Sequence, residues 1–219
     1  MQIHTLLVGQ PRTIEDGEGS WHSAIFRMPV DGPIELTLEG LAGDQVADVK
    51  NHGTPGQAVC CHPLAHYAYW NDLYALAGTG RALGPGSVGE NWTVTDAVEA
   101  DVCIGDIYAV GSARVQVTAP RYPCWKQERK VQLPGFLQRT KETMRTGWYL
   151  RVLEPGIVQR GQELRLVERV YPELTIERTN RSVHGELEVD VAQQMLDVPE
   201  LFPGWKRILL ARLNQVARA

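Results

Sequence analysis

The 219-residue chain is poor in several features that most directly betray chemistry or compartment. It has four cysteines, Cys60, Cys61, Cys103 and Cys124, two of them adjacent and none in a C-x-x-C pair, which argues against a disulfide framework and a paired-cysteine zinc site. The thiols read as reduced. No apolar run approaches bilayer-spanning length, and the opening MQIHTLLVGQPRTIEDGEG has too short an apolar stretch and no basic leader for a secretory signal. A cytoplasmic protein with no membrane partner is expected. Excess positive charge is also missing, because the formal net charge of −4 argues against a surface that coats a nucleic-acid polymer. Any anion site must therefore be local.

What is present is globular: 43% hydrophobic and 22% charged residues in a chain long enough for a sizeable core and a small appendage. Short alternating runs dominate the first three quarters, among them IELTL (34–38), QAVCC (57–61), NWTVT (91–95), DVCIGDIYAVG (101–111) and ARVQVTA (113–119). GWYLRVLEPGIVQRGQELRLVERV continues the pattern, with a turn at Pro155-Gly156. Two helices interrupt the strands, one in PLAHYAYWNDLYALAG and a weaker one in LPGFLQRTKETMRTG. Near Pro172 the alternation ends. TIERTNRSV, LEVDVAQQMLDV and PGWKRILLARLNQVARA then predict two or three short helices. The expected division is residues 1–170 as a β domain and 171–219 as a small helical module. Lys206, Arg207 and Arg212 on the last helix favour a solvated face over a partner-docking one.

Chemistry-bearing residues cluster in three loops. DVKNHGTPGQA (48–58) sets Lys50 and His52 beside Gly53 and Gly56, where backbone N–H groups and cations can meet an anion, although a plain turn has the same composition. GPGSVGENWTV (84–94) places Glu90 and Asn91 at the start of a strand, suited either to a polar ring such as a pterin or to a cap. In VTAPRYPCWK (117–126), Pro120 and Pro123 force the chain out of the sheet and present Cys124 on a stiff loop. Arg121 and Lys126 are placed to lower the pKa of that thiol, whereas Cys60, Cys61 and Cys103 lie in strand-like runs as small hydrophobes. The residues alone leave Cys124 open between reagent and filler.

Taken in order, GLAGDQVADVKNHGTPGQAV, YAYW, VGENWTV and CIGDIYAVGSARVQVTAPRYPC closely resemble the MOSC domain family, in its YiiM-like branch, over roughly residues 20–167. The tail resembles the three-helix module of that branch. The resemblance implies a mainly β fold, a β-barrel of the pyruvate-kinase barrel type, binding a molybdenum cofactor (molybdopterin with molybdenum) in a positively lined cleft. It makes Cys124 the metal ligand and catalytic residue, and Arg27, Lys50, His52, Gly53, Glu90, Asn91 and Arg121 the cofactor-binding set. A soft thiolate suits such a metal, and a guanidinium at 27, where relatives commonly carry lysine, can grip phosphate bidentately. The implied activity is reduction of N-hydroxylated compounds, such as N-hydroxylated purines or amidoximes, with electrons from a separate reductase. A cofactor carrier or sulfur-handling protein is the alternative. The chain departs from the family at HGTPGQA, where HGGPDKA or HGGPDRA is usual, and at TAPR, where TQPR is usual. Thr54, Gly56, Gln57 and Ala119 are thus expected to alter the pocket.

Overall fold

The computed structural model describes residues 1–218; Ala219, the last residue of the expected helical module, lies outside them. In chain order the first elements are β1 (Gln2–Val8), β2 (Arg12–Asp16), β3 (Gly19–Ser23), β4 (Met28–Pro29), β5 (Ile34–Thr37) and β6 (Gly40–Leu41). There follow α1 (Val49–His52), β7 (Val59–Pro63), α2 (Ala65–Leu73), β8 (Trp92–Thr95), β9 (Ile107–Val110) and β10 (Ala113–Pro120). The remainder is α3 (Trp125–Val131), α4 (Phe136–Thr143), β11 (Trp148–Glu154), β12 (Gly156–Val158), β13 (Arg165–Glu168), α5 (Ile176–His184), α6 (Val189–Asp197) and α7 (Pro203–Val216).

The alternating runs form one curled eight-stranded sheet in the order β13-β9-β10-β11-β7-β8-β1-β4. Its pairs are antiparallel except β7 with β8, where Cys61 lies opposite Trp92. The expected barrel is a half-barrel whose far edges nearly meet: Ile3 donates to the Gln162 carbonyl at 2.9 Å and Leu164 to that of Met1 at 2.8 Å. A three-stranded sheet, β12-β5-β6, and the hairpin β2-β3 complete the β structure.

Two buried clusters hold these elements. The larger joins the sheet, through Trp92, Val117, Trp148 and Leu150, to Ile176, Met195, Trp205 and Leu209 of the three C-terminal helices. Those helices bury their apolar faces on the sheet, which is why the polar helix-length segments after Pro172 fold at all. The smaller cluster packs Tyr67 and Trp70 of α2 and Val88 against Val131, Leu133 and Phe136 near α3 and α4. It lies behind the loops that carry the chemistry.

Candidate functional site

The ends of β7, β10 and β11 and the loops before α1, β8 and α3 converge on one cavity of about 80 Å³. Arg27, His52, Asn91, Arg121, Cys124 and Lys126 all line it, so most of the expected site residues do meet. It adjoins a wider cleft of about 500 Å³ that shares Arg27, His52 and Asn91 and includes Gly53.

Two glycines permit this convergence. Gly89 has φ +77°, and a Cβ there would fall 2.2 Å from Ile25 Cγ1. Gly147, at φ +75°, would place one 2.1 Å from the Cys61 carbonyl oxygen. Only glycine tolerates both the left-handed backbone and the close approach. The Gly147 carbonyl accepts the Arg121 N–H at 3.0 Å, which fixes the chain as it leaves β10.

Pro120 is the last residue of β10, opposite Trp148, and Cys124 then caps α3 instead of sitting in an open loop. Gln127 Oε1 accepts the Cys124 N–H at 3.0 Å, and the Gln127 N–H donates to the Cys124 carbonyl at 3.0 Å. The thiol is partly exposed, while Cys60, Cys61 and Cys103 are buried and free. Cys60 nevertheless lines the same cavity, with its pKa raised by burial.

The positive charge is concentrated and partly unspent. Arg121 is 7% exposed and donates through Nη2 to the Val88 carbonyl at 2.7 Å, but its Nη1 is buried with no hydrogen-bond partner. Arg27 is less available than a free bidentate grip requires. Its Nε and Nη2 are held by Asp44 at 2.8 and 2.9 Å and its Nη1 by the Gly89 carbonyl at 2.6 Å. His52 is pushed below its ordinary value by burial, then by Arg121, with Lys126 and Arg27 adding and Asp48 opposing. It is a neutral imidazole at pH 7.

Several expected contacts are placed elsewhere. Lys50 is exposed on α1 and forms no part of the cavity wall; Lys126 supplies that charge, anchored to the His22 carbonyl at 2.9 Å. Glu90 is fully buried behind the wall, where Oε1 accepts from Tyr67 Oη, Gly86 N and Thr93 Oγ1 at 2.6, 2.7 and 2.7 Å. Asn91 lines the cavity but is tied to Asp44 Oδ2 at 2.8 Å and to the Cys60 N–H at 3.1 Å. Ala119 is fully buried in the main core, so its missing amide does not alter the wall. Two of the other departures act together, because Thr54 Oγ1 donates to Gln57 Oε1 at 3.1 Å, and Gln57 lines the cavity.

Three participants escaped the sequence reading. Asp44 is an isolated acid in a loop. Tyr149 lies on the cavity wall. Lys130 sits on α3 with its ammonium on the carbonyls of Ile25 and Gly86; burial lowers its pKa to about 8, with Arg121 and Arg27 adding to the effect of burial and Glu90 opposing it. The signal for Lys130 was the basic run after Cys124, read only as far as Lys126.

The family model of the MOSC domain matches residues 48–165, more than half of the chain and all three loops. The chain belongs to the MOSC domain family. It is 32% identical over 215 residues to the YflK protein of Bacillus subtilis (strain 168), covering 98% of this chain and 95% of that one. It is 33% identical over 195 residues to a protein of Gibberella moniliformis named a reductase, covering 84% of this chain but 33% of that protein. The crystal structure of YiiM from Geobacillus stearothermophilus superposes with a TM-score of 0.79 at 34% identity, covering 97% of this chain and 98% of that one. These likenesses support the YiiM-like branch.

The site's chemistry fits the group that MOSC membership implies. Arg121 Nη1 is a buried donor in need of an acceptor, and a phosphate or pterin oxygen would satisfy it. Among the described residues no three His, Cys, Asp or Glu side chains come together as metal ligands. No helix among the described residues is long and apolar enough to cross a membrane.

Proposed function

We propose that this protein is a molybdenum-cofactor-dependent reductase of N-hydroxylated compounds, such as N-hydroxylated purines or amidoximes, supplied with electrons by a separate reductase. The observation that carries this reading is the meeting, in one cavity, of a partly exposed thiol at Cys124 with a buried guanidinium N–H that lacks an acceptor at Arg121. The net change is R–NH–OH plus two electrons and two protons giving R–NH2 and water. When bound, the cofactor would supply the two-electron metal centre at which the N–O bond breaks.

The chain's own groups have separable tasks. Cys124 Sγ would hold the metal end, since a coordinating thiol is deprotonated outright. Arg121 Nη1 and Lys126 would hold the anionic end, and Arg27, braced by Asp44, adds fixed positive charge to the wall without moving. His52, kept neutral by burial and its cationic neighbours, offers one donor and one acceptor at once, so it can orient a hydroxyl or pass a proton. The match to the reductase-named relative occupies 33% of that protein, in keeping with a MOSC unit whose electrons arrive from outside it.

The test is to produce the protein in a cell that makes molybdenum cofactor, measure metal and pterin content, and assay reduction of N-hydroxylated adenine with a chemical reductant. Loaded protein should form adenine. Loaded protein that forms none would leave the carrier reading in its place.

A further inference from the structure

We propose that Tyr122 is the stacking platform for a planar heteroaromatic substrate, and that the C-terminal helices serve this site by holding its ring. The inference deepens the reductase reading above and rests on it.

Tyr122 lies between Arg121 and Pro123, two residues before Cys124, and lines the same cavity. It is 43% exposed, which is unusual for a ring so thoroughly braced. His184 at the end of α5 packs against it at 5.2 Å between centroids, and Trp205 of α7 at 6.0 Å. Lys141 of α4 places Nζ 5.7 Å from its centroid. Three helices thus converge on one partly exposed side chain, while Pro120 and Pro123 restrict the backbone on either side of it.

The supports are themselves fixed. Trp205 is 3% exposed in the main core, and His184 packs on Trp205 at 6.1 Å. Burial, with Lys141 and Arg212 nearby, drives the pKa of His184 down to about 4, so it backs Tyr122 as an uncharged ring. Tyr122 Oη makes no hydrogen bond among the described residues. What the site presents beside Cys124 is therefore a preorganised, half-exposed aromatic ring. Stacking on such a ring rewards flat, polarisable ligands of any hydrogen-bond pattern and gives little to compact aliphatic ones. A flat N-hydroxylated base would lie on Tyr122 with its exocyclic nitrogen directed toward the Cys124 side of the cavity.

The test uses cofactor-loaded protein and two readouts. Calorimetric binding of adenine should weaken about tenfold in Tyr122→Ala and in Tyr122→Leu, and stay within about twofold in Tyr122→Phe. Turnover should show the same selectivity: Tyr122→Ala raises KM for N-hydroxylated adenine about tenfold and lowers kcat/KM for acetamidoxime by a much smaller factor. Molybdenum content should match the parent protein in all three variants, and each should remain folded at the assay temperature. Equal losses on both substrates, unchanged adenine binding in Tyr122→Ala, or loss of metal in step with adenine affinity would overturn the proposal. If the parent reduces neither substrate yet adenine binding still depends on the ring at 122, the reductase reading fails and the platform stands.

Discussion

Asp44 grips Arg27 through two parallel hydrogen bonds, Nε to Oδ1 at 2.8 Å and Nη2 to Oδ2 at 2.9 Å, with the side chains 10% and 9% exposed. The same carboxylate accepts the Gly9 N–H and the Asn91 side-chain amide, both at 2.8 Å. One acid thereby ties the first strand, the loop before α1 and the Gly89–Asn91 turn into a single wall. Removing it strands a cation and two further donors. Asp44→Ala should lower stability by about 3–5 kcal/mol, as breaking one side of a buried pair does. Asp44→Asn, which keeps the acceptor Oδ1 but not the charge, should lose less. Urea denaturation of the three proteins checks the order.

Cys124 caps α3 through its backbone and carries its chemistry on the side chain, and two substitutions test that separation. Both bonds to Gln127 use the backbone of residue 124, so Cys124→Ser, which is also a good N-cap, should leave the stability of α3 unchanged. Alanine keeps the same backbone bonds and should cost less than about 1 kcal/mol. Both should abolish N-hydroxyl reduction, because neither supplies a thiolate. Retained activity in Cys124→Ser with bound molybdenum would refute the ligand assignment.

Much of this was legible before any coordinates, and what was not has local causes. Strands such as β10 announce themselves because apolar Val115, Val117 and Ala119 alternate with polar Gln116 and Thr118, although all five are buried. Helix α3 does not, since only Gln127 and Val131 of its seven residues are buried and no apolar stripe marks it. Cys124 consequently read as a loop residue when it is a helix cap, and Lys130 went unnoticed. The three motifs named the right loops but not the direction each side chain takes. Glu90 turns inward to Tyr67, and Lys50 stays outside while Lys126 enters. Asp44 had no sequence signal, because its partners at positions 9, 27 and 91 are brought together only by the fold.

Acid should destabilise the protein through its buried histidines. His62 is 2% exposed with both ring nitrogens unpartnered, and burial, with His66 adding, holds its pKa well below the ordinary value. His184 is lowered to about 4, first by burial. An unfolded histidine takes up its proton near pH 6.5, whereas these folded ones refuse it. The unfolded state then binds more protons, so stability is full above about pH 6.5 and declines as pH falls below it. For His184 the decline levels off below about pH 4, and for His62 it continues lower. Tm measured from pH 7.5 to 4.5 should fall, and His184→Gln should flatten part of that slope. A slope unchanged by that substitution would place the acid sensitivity elsewhere.

Arg121 should reveal a conflict between stability and binding. Its guanidinium is buried, one nitrogen is satisfied by the Val88 carbonyl, and the other has no acceptor. An unsatisfied buried donor costs about 1–3 kcal/mol, more when it is charged. Replacing it with an unbranched apolar side chain removes that cost and loses a single hydrogen bond to Val88. Arg121→Met should therefore leave the cofactor-free protein at least as stable as the parent, in contrast to Asp44→Ala. The same substitution removes the donor that an anionic cofactor would satisfy, so molybdenum and pterin content should drop about tenfold or more when the protein is produced with cofactor available. Denaturation of the empty protein and metal analysis of the loaded one distinguish the outcomes. A large loss of stability in Arg121→Met would make the residue a structural strut, and full metal content would remove it from the binding site.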